Sequence, residues 1–96
     1  MTRAVDRLLE HYEQIAAACA AMLAAASAAD WTAFEAQRVR RDTLIAAASG
    51  VSIALDPAQA RRRVELLRAA LADDAAIRVL CDSGSNQLDR LVMGRL

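Results

Sequence analysis

Val5, Leu8, Tyr12, Ile15, Cys19, Met22 and Ala26 follow one another at alternating steps of three and four residues. At 3.6 residues per turn that spacing draws one stripe down a helix, whereas a strand would need alternate positions. Leu9, Ala16 and Leu23 widen the stripe to the breadth of a helix that packs in a bundle. The pattern predicts a first helix over residues 3–28, with Thr2 as its N-cap. A chain of 96 residues that opens this way has room for one helical domain, 1–96, and no second core.

Asp30 suits the N-cap of a second helix over 30–49, because its carboxylate can accept from free amides of the first turn and complements the helix dipole. Gly50 provides the stop. Trp31, Phe34 and Ile45 share a face with Arg38 and Arg41, which predicts arginine stems lying over apolar surface while the guanidinium groups reach water, Glu35 or Asp42. Residues 50–56 read as a linker. Asp56-Pro57-Ala58-Gln59 then combines a cap, a proline at the first helical position and a glutamine at the capping-box position, and starts a third helix over 57–82. Asp82-Ser83-Gly84-Ser85 interrupts the pattern before Leu88, Leu91 and Val92 resume it, so an extension over 85–94 is expected, either short and separate or continuous with the third helix. Val51 to Leu55 has nothing to pair with as a strand. The predicted fold is all-α, an antiparallel bundle of three long helices with a C-terminal extension.

The third helix carries two adjoining apolar stripes. One holds Val64, Leu67 and Leu71, with Arg78 at the same angle; the other holds Leu66, Ala70, Ile77 and Leu80. Together they exceed the arc a helix needs for one-sided packing, so the surplus must meet either another element of the fold or a partner.

Composition argues against chemistry. Of the 96 residues 24 are Ala, which favours helix but buries little area, so a few large side chains must hold the core. Twelve basic and twelve acidic residues cancel, leaving no long-range field for nucleic acid or anionic lipid despite the Arg38-Val39-Arg40-Arg41 and Arg61-Arg62-Arg63 runs. His11 is the one histidine, Asp73 and Asp74 point about 100° apart on a helix, and no phosphate-binding glycine loop occurs. Cys19 and Cys81 fit neither a redox motif nor a metal spacing and are expected as two buried thiols. The apolar run Ile15 to Ala29 superficially resembles a signal peptide, but Asp6, Glu10 and Glu13 precede it, and it is too weakly apolar to span a bilayer. No catalytic residue, metal or cofactor is predicted.

The order of landmarks resembles the FliT family of flagellar export chaperones: Tyr12 and Ile15 early in the first helix, Asp30-Trp31 opening the second, and Leu71-Ala-Asp-Asp-Ala-Ala-Ile77-Arg78-Val-Leu80 in the third. The likeness covers nearly the whole chain. It implies a cytoplasmic chaperone, not an enzyme, that binds the C-terminal segment of the flagellar filament cap protein, prevents premature assembly and delivers it to the export ATPase and gate. The family's partner surface lies largely on the third helix, which places the site at Val64, Leu67, Leu71, Ile77 and Arg78. Two features depart from the family: Arg38 stands where relatives usually have Glu, and little follows residue 82 to match the further helix that covers the site in longer members and supports binding to the flagellar master transcription regulator. An uncovered site is expected, ahead of one covered by Leu88, Leu91 and Val92. The competing reading is self-association, in which a helix face closes a homodimer, or an adaptor with no export role.

Overall fold

The computed structural model describes residues 3–93, with side chains for residues 3–82 and 91. Its elements are α1 (Ala4–Ser27), α2 (Trp31–Ala48) and α3 (Pro57–Met93). The helix starts follow the capping chemistry of the sequence. Asp30 Oδ1 accepts from the Ala33 amide at 3.1 Å. Asp56 and Gln59 exchange bonds, the Gln59 amide donating to Asp56 Oδ1 at 2.8 Å and the Asp56 amide to Gln59 Oε1 at 3.0 Å, so two end groups of α3 are satisfied reciprocally. Thr2 lies outside the described residues, and Arg3, at the α1 N-cap, makes no side-chain bond there.

The turn between α1 and α2 is short and reverses the chain, with Ala29 in the left-handed region at φ 55°. After α2, Gly50 adopts φ 81°, a conformation that glycine takes without steric cost. The extended segment 51–56 then carries the chain back to the start of α3. Glu13 meets Arg62, and Ile15 and Cys19 pack with Ala70, so α1 and α3 run in the same direction and α2 runs against both.

The first-helix stripe is the core. Leu8, Ile15, Ala18, Cys19, Met22, Ala25 and Ala26 are buried, and α3 supplies Leu66, Ala70 and Ile77. Ala70 is the small residue that lets α3 approach Ile15 and Cys19. In contrast, α2 has no fully buried residue; Leu44 and Ala48 reach the core only in part. Both outer helices pack on α1, and their backbones do not pack on each other.

Among the two continuations the sequence left open beyond residue 82, the structure takes the second: α3 is one helix to Met93. A mid-helix glycine costs roughly 1 kcal/mol relative to Ala, too little to outweigh the backbone bonds on either side of Gly84. The side chains of Leu88 and Val92 lie outside the described residues, and Leu91 is exposed. Among the described residues the last buried position of α3 is Ile77, so the helix runs on past the end of α1 and the molecule measures 63 × 24 × 22 Å.

One cysteine expectation is corrected. Cys19 is buried, but Cys81 is exposed because it falls beyond the end of α1. Burial pushes the Cys19 thiol up, with Asp73 and Asp74 adding to the effect and Arg41 opposing it. A thiol reagent at neutral pH should therefore label one cysteine promptly and the second only on unfolding. Two fast equivalents would contradict the packing of Cys19. Because the folded thiol holds its proton to higher pH than the unfolded one, its contribution to stability is complete below the unfolded pKa and is lost as pH rises through the folded value.

Candidate functional site

Holding α2 and α3 apart on α1 leaves a groove of about 510 Å³ between them. Tyr12, Ile15 and Cys19 of α1 form the floor. Arg41, Ile45, Ala48 and Ser49 line the α2 wall, and Leu67, Ala70, Leu71 and Asp74 the α3 wall. The lining is apolar apart from one charged pair and the Ser49 and Tyr12 hydroxyls.

That pair sits at the edge of the first apolar stripe, about one turn beyond Leu71, and faces α2. The Arg41 side chain is only 20% exposed; its guanidinium lies 3.0 Å from Asp42 and 3.7 Å from Asp74 across the groove. Asp74 also takes Arg78 at 3.0 Å. The Asp74 carboxylate thus stands between a cation on α2 and a cation on its own helix. Nothing in the sequence signals this bridge, because it depends on how far apart α1 holds α2 and α3 in space. The predicted use of Arg38 is seen: it binds Glu35 in a two-pronged pair and Asp42 at 2.9 Å. Arg38 holds the Glu35 carboxyl below its usual range. Such exposed pairs contribute at most modestly to stability.

The five residues expected at the site separate. Leu67 and Leu71 line the groove, and Val64 lies exposed on the same stripe. Leu71 is 67% exposed, the most open large apolar side chain described. Arg78 extends from the end of the stripe, anchored at Asp74. Ile77 is different: at 6% exposure it belongs with Leu66 and Ala70 in the contact with α1. Leu66, Ala70 and Ile77 of the second stripe close the fold, Leu80 beyond them is exposed, and the first stripe is the surplus. Residues missed from sequence are those of the opposite wall, Ile45 and Arg41, together with the floor residue Tyr12.

His11 Nδ1 donates to the Arg7 carbonyl at 2.8 Å, an ordinary contact within α1. Among the described residues no three metal-ligating side chains gather, and no helix is long and apolar enough to cross a membrane. The groove offers shape and apolar surface without a paired nucleophile and base.

A family model described as flagellar protein FliT matches residues 9–93, from the first turns of α1 to the end of α3. The chain belongs to the FliT family. FliT proteins are flagellar export chaperones and not enzymes, which accords with a helical bundle bearing an open apolar groove. Searches of curated proteins and of solved structures return no significant match. The match spans α1, α2 and α3 together, so the FliT assignment covers every element that builds the groove.

Proposed function

We propose that this chain is a cytoplasmic export chaperone that holds the C-terminal segment of the flagellar filament cap protein in the groove between α2 and α3. Holding the segment there keeps the cap protein from assembling early until it is handed to the export apparatus, including its ATPase and gate. The observation that carries the reading is the exposure of Leu67 and Leu71 at the lip of an apolar groove, while Leu66, Ala70 and Ile77 of the neighbouring stripe are used in folding. An amphipathic helix laid into such a groove buries its own apolar side chains at positions i, i+3, i+4 and i+7. No chemical step is needed, since the work is exclusion of other contacts.

Calorimetric titration of the chain with a peptide of the cap protein's C-terminal segment tests this. One-to-one binding is the expected result, and absence of binding overturns the reading. A second copy of the chain is the rival occupant of the stripe. Light scattering that returns the monomer mass at high concentration leaves the stripe to the partner.

A further inference from the structure

The exposed stripe of α3 has a charged edge. Arg61 and Arg68 are both exposed, and at about 100° per residue they lie just beyond Val64 and Leu71, on the far side of the stripe from α1. Of the other basic residues of this helix, Arg62 lies 3.7 Å from Glu13 and 3.6 Å from Glu65, Arg78 is bound to Asp74, and Arg63 is half-buried on the α1 side of the stripe. Among the described residues neither Arg61 nor Arg68 has an ion-pair partner.

The acidic residues nearest them on α3 have other neighbours. Glu65 goes to Arg62, Asp74 to the groove, and Asp73 is half-buried on the side of Cys19. A chain with zero net charge thus keeps two cations without an ion pair beside Leu71, its most exposed described leucine. With no long-range field to reinforce them, they can discriminate only at contact distance. Seven residues separate the two, which is two helical turns, or roughly 10 Å along α3.

We infer that the groove's occupant is an amphipathic helix with carboxylates along one edge, about two turns apart, and that Arg61 and Arg68 select it. The inference rests on the groove reading proposed above. As the occupant's apolar face seats on Leu67 and Leu71, its acidic edge comes over the two guanidinium groups. The arginine stems extend the apolar lip, and the partial loss of water at the contact strengthens the pairing relative to a fully exposed one. An occupant of the same apolar pattern with a basic edge meets repulsion at the same two points.

Two designed helical peptides test the edge. They share one apolar face and differ only in carrying Glu or Lys along the edge that meets Arg61 and Arg68. The wild-type chain should bind the Glu peptide about thirtyfold more tightly, the ratio that two contact pairs near the top of the exposed range produce. The double variant R61E/R68E should reverse the preference, with an unchanged thermal melt because both side chains are exposed. Equal affinities for the two peptides overturn the proposal, as does failure of both to compete with the cap segment. In either case the groove reading stands as long as the cap segment itself binds. If polyglutamate or a short RNA, neither having an apolar face, competes as well as the Glu peptide, the edge is a general polyanion patch and the proposal fails.

Discussion

Changing Leu67 and Leu71 together to Ser is expected to weaken binding of the cap segment by more than about a hundredfold while the far-UV circular dichroism stays helical. Burying one leucine contributes roughly 1.5–3 kcal/mol, so losing two at the lower end already removes about 3 kcal/mol, and each new hydroxyl must also be desolvated. Neither leucine is buried in the free chain, and Leu71 is 67% exposed. The fold therefore loses little beyond the lower helix propensity of Ser. A titration in which the double variant binds as the wild type does would remove α3 from the site.

The neighbouring stripe should behave in the opposite way. Ile77→Ala opens a cavity between α3 and α1, and buried substitutions of this kind cost about 2–5 kcal/mol. For a domain of this size each kcal/mol lowers Tm by roughly 4–8 °C, so a fall of at least about 8 °C is expected. Leu71→Ala, one and a half turns earlier, should shift stability by about 0.5 kcal/mol or less, as exposed substitutions usually do. Thermal melts of the two variants side by side give the check. If Leu71→Ala proved the more destabilising, the two stripes would have exchanged roles and the groove would have to be redrawn.

Features that depend on neighbours in sequence were legible before the structure. Asp30 caps α2, and Asp56 and Gln59 close their reciprocal box at the start of α3, because each signal needs only three or four consecutive residues. The first-helix stripe likewise became the core. Both stripes of α3 could be seen, but not which one would turn inward. That choice is set by the rotation of α3 against α1, where Ala70 fits between Ile15 and Cys19 and carries Ile77 inward with it. Ile77 was accordingly grouped with residues that the fold keeps apart from it. Ser83-Gly84-Ser85 reads as a break, yet turn-forming residues only weaken a helix locally, and α3 passes through them. Half of the groove was invisible for a similar reason: Arg41 and Ile45 meet Asp74 and Leu71 only because α1 spaces the outer helices.

The two walls of the groove differ in stiffness. On one side α3 is locked to α1 through Leu66, Ala70 and Ile77, whereas α2 has no side chain fully withdrawn from water and reaches α3 through the long Arg41–Asp74 pair. A small shift of α2 therefore draws no fully buried side chain of its own into water, only the half-buried Leu44 and Ala48. A site with one fixed jaw and one yielding jaw reads the spacing of apolar groups along its guest strictly but their bulk loosely. In the proposed guest segment, exchanges among Leu, Met and Ile should therefore be accommodated, while a one-residue insertion, which rotates those groups by about 100°, should not.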